Sequence, residues 1–192
     1  MVAPYLVFLG LLSLERLYEL TVSRRHLAWA RQRGGKEFGG RHFKLMTLLH
    51  SVFFVSCAGE VLLFERPYLP ELGVPMFALV VASQALRYWA VFSLGPYWNV
   101  RVVVVPGARP ITSGPYRYLR HPNYLAVIVE GFAIPLLHSA WVTAVVFSLL
   151  NAVLLRIRIR CEEQALEAHC DYHNRLGGLP RLIPGRRSTV QR

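Results

Sequence analysis

The stretch from His121 to Leu155, HPNYLAVIVEGFAIPLLHSAWVTAVVFSLLNAVLL, is thirty-five residues long and carries one formal charge, Glu130. A helix needs about 20 apolar residues to cross the hydrocarbon core of a bilayer. The stretch is therefore too long for one span and fits two short helices in a hairpin. Pro135, His138 and Ser139 are its natural turn residues. Working outward from it, Leu72–Val100 holds only Arg87 and Leu45–Phe64 only Glu60. Val2–Leu14 is uncharged and extends to Val22 through Glu15, Arg16 and Glu19. These stretches predict five spans, near 2–22, 45–64, 74–94, 123–137 and 139–157. The composition agrees: of 192 residues, 54% are hydrophobic and 17% charged. With a mean hydropathy of +0.34, the chain is too apolar for an ordinary soluble domain. Cys57, Cys161 and Cys170 are odd in number and scattered, which argues against a disulfide framework.

The net charge of +11 reads first as topology. The segment 23–44 holds seven basic residues, 95–122 holds four and 156–192 holds eight, so 19 of 22 lie in alternate connections. Positive-inside bias then puts the N-terminus outside and the C-terminus, with the 23–44 loop, in the cytoplasm. Basic residues beside spans do not suggest a nucleic-acid partner. No positive region precedes the first span and no cleavage site follows it, so that span is expected to be retained. Neither end carries a lipidation motif. Gly34-Gly35 to Gly39-Gly40 reads as a flexible loop, and the tail from Gly185 as frayed.

Polar residues concentrate in two further stretches. In Leu94–Tyr124, four valines (Val102–Val105) read as a short extended segment closed by a Pro106-Gly107 turn. Gly114-Pro115 and His121-Pro122 then bracket a turn of aromatic and basic residues. In Arg156–Leu166 the fifth span continues as a helix, expected to reach about Leu176 and to end at Gly177-Gly178. One reading makes the arginines contacts to anionic lipid headgroups and Tyr116, Tyr118 and Tyr124 an interfacial belt. That reading accounts poorly for His121-Pro122 and for Glu162-Glu163. Dinucleotide, phosphate-loop, nucleophile-elbow and zinc-protease motifs are all absent. His169 and His173 fall four apart and could form a metal pair, but no further ligand set accompanies them, so no metal is expected. Glu60 and Glu130 lie in spans, where a carboxylate is either functional or protonated and hydrogen-bonded.

Gly114-Pro115-Tyr116-x-x-x-Arg120-His121-Pro122-Asn123-Tyr124, a hairpin, and then Arg158-x-x-x-Glu162-Glu163 resemble the isoprenylcysteine carboxyl methyltransferases. The closing Leu179-Pro180-Arg181-Leu182-Ile183-Pro184-Gly185 resembles that family's C-terminal signature. The likeness covers roughly residues 86–185 of a single membrane domain (1–192), while residues 1–64, the first two spans, match only in hydropathy. It implies an all-α integral membrane enzyme of about five transmembrane helices, with a cytoplasmic cofactor pocket and a C-terminal helix, using S-adenosylmethionine. Leu94-Gly95-x-x-Trp98-Asn99, the valine run and Pro106-Gly107-Ala108 look most like bacterial members associated with alkylresorcinol and alkylpyrone synthesis. That branch implies the bacterial inner membrane and a lipid-tailed phenol or enol acceptor, where the family's other acceptor is a prenylcysteine carboxylate. One departure is Ala126, at a position where Gly is common.

Carried over by motif, the resemblance implies that Arg109, Pro110, Ile111, Tyr116, His121, Pro122, Asn123 and Tyr124 wrap the cofactor. Glu162 would hold one of its polar groups. Arg158 would face the acceptor oxygen, with Trp98 and Asn99 on the substrate side. Arg158 and Glu162 stand four apart on one helix face, so a plain salt bridge is the simpler alternative. Two other functions stay open. Membrane sterol reductases share an Arg-His-Pro-Asn-Tyr segment and use NADPH, but they follow it closely with Gly-Glu, where this chain has Leu125-Ala126-Val127. A nonenzymatic lipid-binding or transport protein is the other, although polar groups gathered at one edge speak against transport.

Overall fold

The computed structural model describes residues 2–183, His42 as backbone only. It is an all-α membrane protein built on α1 (Val2–Arg31), α2 (Gly40–Leu63), α3 (Pro70–Leu94), α4 (Pro122–Leu136), α5 (Trp141–His169) and α6 (Tyr172–Leu176). A two-stranded ribbon, β1 (Lys36–Phe38) and β2 (Val102–Val104), and two short 3-10 turns complete it. The five long helices fall where the five apolar stretches lie. Three stretches are long and apolar enough to cross a membrane by themselves: Phe43–Leu63, Pro70–Tyr97 and Trp141–His169. α4 has 15 residues, about 22 Å at 1.5 Å per residue, short of a core about 30 Å thick. α1 carries Glu15, Arg16 and Glu19 halfway along.

The hairpin forms as its sequence requires. Pro122 is the first residue of α4, where a missing N–H costs nothing and a fixed φ favours the helix. Ser139 turns the chain with φ 55°, and the Ala140 N–H donates to the Pro135 carbonyl at 3.0 Å. A Cβ on Gly131 would lie 2.4 Å from the Phe147 ring, so glycine allows α4 and α5 to approach closely. Glu60 of α2 caps α5 from outside: its carboxylate accepts the N–H groups of Val142 (3.1 Å) and Thr143 (2.7 Å) and the Thr143 hydroxyl (2.8 Å). Those N–H groups have no partner within the helix, and the positive helix terminus favours the charge. Tyr5, Leu9 and Leu12 of α1 pack with Phe53, Cys57 and Val61 of α2, with Ala133 and Ile134 of α4 and with Phe147 of α5. Val7, Leu63, Phe92 and Leu149 are instead exposed on the outer faces, as suits a lipid-facing surface.

Two expectations are corrected. The 34–40 segment is not simply a flexible loop: Lys36–Phe38 pairs antiparallel with Val102–Val104, Lys36 opposite Val104 and Phe38 opposite Val102. The β-branched run offers a ladder edge, and Gly34 (φ 75°) and Gly39 (φ 65°) bend the chain on either side of the strand that fills it. Arg101 and Glu37 clamp the ribbon at 2.5 Å. The C-terminal helix also does not run unbroken to Leu176. It stops at His169, Cys170 is extended, and α6 begins at Tyr172. His169 and His173 therefore do not share one continuous helix face. The tail expected to fray, from Gly185, lies outside the described residues, as do Pro184 and Gly185 of the closing signature.

Candidate functional site

A cavity of about 570 Å³ opens between the helices at the pole where α4 begins and α5 ends. Its wall there includes Trp98, Asn99, Arg109, Pro110, Ile111, Tyr116, His121, Asn123, Tyr124, Arg158 and Glu162. The tertiary structure thus gathers nearly all the residues singled out in the sequence. Pro122 is the exception. It is fully buried and starts α4 beside the wall instead of lining it.

At the centre stands Tyr124, whose hydroxyl joins two residues of the facing helix. It donates to a Glu162 carboxylate oxygen and accepts from Arg158 Nε at 2.8 Å. Arg158 is 7% exposed; its Nη2 donates to the Val100 carbonyl at 2.6 Å. The simple Arg158–Glu162 salt bridge therefore does not form; a phenol stands between the two. Two of the three guanidinium nitrogens are already held, which fixes the fork and leaves Nη1 without a hydrogen bond among the described residues.

His121 is buried and stacks on the Tyr124 ring, with centroids 5.3 Å apart and planes at 23°. Its Nε2 meets Glu163 at 3.1 Å, and Glu163 also pairs with Arg120 (3.1 Å) and Arg181 (2.7 Å). The backbone N–H groups of Arg120 and His121 donate to the carbonyls of Pro180 and Arg181, each at 3.0 Å. Glu163, to which sequence reasoning gave no separate role, is thus the post that ties the C-terminal segment over the site. Its adjacency to Glu162 was the signal: on a helix, neighbouring residues face about 100° apart, so one carboxylate points into the cavity and the other to its lid. Leu182 packs with Tyr124, Leu155 and Ile159 below it. Tyr172 of α6 also lines the cavity and escaped sequence reasoning, since it follows a helix break that hydropathy does not mark.

The three tyrosines separate. Tyr118 is 55% exposed, while Tyr116 and Tyr124 are buried against the cavity, so only Tyr118 suits an interfacial belt. Burial pushes the Tyr116 phenol well above its ordinary range, and the nearby Glu162 charge adds to the shift. It remains a neutral hydrogen-bonding group. Asn99 lies on the wall, but its side chain is engaged elsewhere: Oδ1 accepts from the Ser23 hydroxyl (2.8 Å) and the Arg101 N–H (2.9 Å), and Nδ2 donates to the Ser23 carbonyl (3.0 Å). It fastens the loop onto α1. Gly114, with φ 57°, brings the next turn against α3, where a Cβ would lie 2.0 Å from Ser93 Oγ.

The site retains unmet polar capacity. Trp98 Nε1, Arg120 Nε and Asn123 Oδ1 are buried without a hydrogen-bond partner among the described residues, and all three residues line the cavity. Buried polar groups are rarely left so. Two donors, an acceptor, the Glu162 carboxylate and a buried aromatic wall suit a nucleoside joined to an amino acid. Among the described residues, no three His, Cys, Asp or Glu side chains are placed to hold a metal.

The cavity also reaches a third polar region, which sequence reasoning did not assemble. Arg87 donates to Glu130 through Nε (3.1 Å) and Nη2 (2.5 Å). Arg16 reaches Glu130 (3.5 Å) and Glu19 (2.7 Å). Arg16, Glu19, Arg87 and Glu130 all lie on the cavity wall.

Comparison with known proteins gives the family. A sequence profile described as the isoprenylcysteine carboxyl methyltransferase (ICMT) family matches residues 76–168, the span from α3 to the end of α5. An uncharacterized protein of Bacillus subtilis (strain 168), YpbQ, is 41% identical over 164 residues, 85% of this chain and 96% of that one. An uncharacterized protein of Haemophilus influenzae is 28% identical over 156 residues, 79% of this chain and 88% of its own. With the matched segment supplying the hairpin, Tyr124, Arg158 and Glu162, the chain belongs to the isoprenylcysteine carboxyl methyltransferase family, a family of membrane methyltransferases.

Proposed function

We propose that this protein transfers a methyl group from S-adenosylmethionine to an oxygen of a lipid-tailed acceptor, at a pocket on the cytoplasmic side of the bacterial inner membrane. The acceptor oxygen is a carboxylate, as in prenylcysteines, or the phenol or enol of an alkylresorcinol or alkylpyrone. The observation that carries the reading is the Tyr124 hydroxyl, held between Glu162 and Arg158 where a polar pole meets an apolar interhelical cavity. Family membership favours it over the NADPH reductase and nonenzymatic alternatives.

When bound, S-adenosylmethionine supplies an electrophilic methyl group on a positively charged sulfur. The chain's own residues bind and orient. Glu162 accepts from ribose hydroxyls or the amino group, Asn123 meets a further polar atom, and Tyr116 and Tyr124 form the aromatic wall, with Arg109, Pro110 and Ile111 at the rim and Trp98 on the acceptor side. His121, fixed by Glu163, buttresses Tyr124. Arg158 turns its free Nη1 toward the acceptor oxygen and favours the oxygen's ionised form. Proximity and fixed electrostatics then supply most of the acceleration.

Calorimetry on purified protein in detergent tests this. His121→Ala and Glu162→Gln should each weaken S-adenosylmethionine binding by about 1–3 kcal/mol. Arg158→Ala should leave that affinity nearly unchanged yet slow methylation roughly 10- to 100-fold, about 1.4–3 kcal/mol of lost contact. Arg158→Lys should recover only part, because it keeps the charge without the locked fork. Arg156→Ala and Arg160→Ala control for general charge loss. Wild-type protein that binds NADPH and not S-adenosylmethionine would overturn the reading.

A further inference from the structure

The far end of the cavity is not what a hydrocarbon tail alone would need. Glu130 lies six residues beyond Tyr124 on α4, about 9 Å deeper at 1.5 Å per residue. There the wall carries the Arg16–Glu19–Arg87–Glu130 network and His50 of α2. Charged groups facing a plain alkyl chain would lose hydration and gain no partner.

Most polar groups of this wall are already paired. The hydroxyls of Ser13, Thr47 and Ser51 donate to carbonyls of their own helices at 2.8, 3.0 and 2.9 Å. Arg87 donates to Glu130 through Nε and Nη2, with Nη1 3.8 Å from Glu19 Oε1, and Arg16 donates to Glu19 and Gln84. Among the described residues two acceptors are left, together with the donors Arg87 Nη1 and Arg16 Nε. Glu19 Oε1 is buried with no hydrogen bond among the described residues. His50 Nδ1 meets the Met46 carbonyl at 2.8 Å; a carbonyl only accepts, so Nδ1 bears the proton and Nε2 keeps a lone pair. The His50 ring is held edge-on against Phe147, with centroids 5.3 Å apart. A wall with spare acceptors and spare donors suits a hydroxyl, which donates one hydrogen bond and accepts others.

We propose that the deep end of the cavity is a second recognition site, where a hydroxyl on the acceptor lipid, remote from the oxygen that is methylated, donates its hydrogen bond to His50 and lies against the Arg87–Glu19 pair. The proposal rests on the cavity being the lipid-acceptor site. It narrows the acceptor to hydroxylated lipids, because a site built to hydrogen-bond a hydroxyl discriminates strongly against the analogue that lacks it.

The test is binding, so it does not depend on turnover. Wild-type protein in nanodiscs is titrated by calorimetry with a saturated fatty acid and with hydroxy fatty acids of the same length, the hydroxyl moved stepwise along the chain. At one position the hydroxy acid should bind at least 10-fold more tightly than the plain acid, the fold-change that a net hydrogen bond of about 1.4 kcal/mol supplies. His50→Phe keeps the ring against Phe147 and removes the acceptor; it should bring that ratio close to one, while Glu19→Gln, which keeps one accepting oxygen, should lower it only in part. If Glu19→Gln does not fold, His50→Phe decides. A wild-type protein that binds every chain equally, or an undiminished preference in His50→Phe, overturns the proposal. S-adenosylmethionine titrated in parallel separates the two readings. A hydroxyl preference without cofactor binding keeps the deep site and removes methyl transfer, while cofactor binding without the preference does the reverse.

Discussion

Glu60 and Glu130 are the two carboxylates that sequence alone leaves equivalent: each stands in an apolar stretch, and each is 6% exposed. The fold gives them opposite work. Glu60 meets backbone, closing the first turn of α5 and pairing with Arg66 at 2.9 Å. Among the described residues Glu130 pairs with guanidinia, Arg87 and Arg16, on the wall of the cavity. A buried charge answered by a helix terminus is part of the scaffold. One answered by other charges beside an open cavity can also answer a ligand.

The difference can be pressed from the largest expected effect downward. Glu130→Ala leaves the Arg87 guanidinium buried, with Glu19 at 3.8 Å as its remaining ion pair among the described residues. It should cost about 3–5 kcal/mol, read as thermal unfolding in a fixed detergent; a loss below about 1 kcal/mol would break the contrast. Glu60→Gln keeps one accepting oxygen and loses the charge at the helix terminus. About 1–2 kcal/mol should go, with S-adenosylmethionine affinity unchanged by calorimetry. Arg66→Ala should cost under about 1 kcal/mol, since the pair is part-exposed and the backbone still satisfies Glu60. The double substitution Arg87→Met with Glu130→Leu should fall within about 1 kcal/mol of the parent, because both members of the buried pair go together and Arg16 and Glu19 still pair with each other at 2.7 Å. A double variant as unstable as Glu130→Ala would make the network scaffold alone.

Much of the site is legible in the sequence, for a definite reason. His121, Asn123 and Tyr124 open one helix of the hairpin, while Arg158 and Glu162 extend the other. A hairpin returns its two ends to the same pole, so sequence order around it already predicts that they meet. What could not be read is how they meet. Tyr124 stands between Arg158 and Glu162, whereas helical spacing suggests their direct pairing. Asn99, assigned to substrate, turns its polar atoms to Ser23 and Arg101. Lys36–Phe38 becomes a strand only because Val102–Val104 stands beside it; three residues between glycines carry no periodicity of their own.

The sequence by itself determined the helices, the hairpin and the pole where the polar motifs gather. Hydropathy and span length are local sums over about 20 residues, and the bilayer enforces them whatever the neighbours. Only the tertiary structure decided which buried charge caps a helix and which lines a cavity. Glu60 finds Thr143 across 83 positions and Arg87 finds Glu130 across 43. A buried ion's role is set by which helix faces pack together, and that packing is a property of the whole bundle.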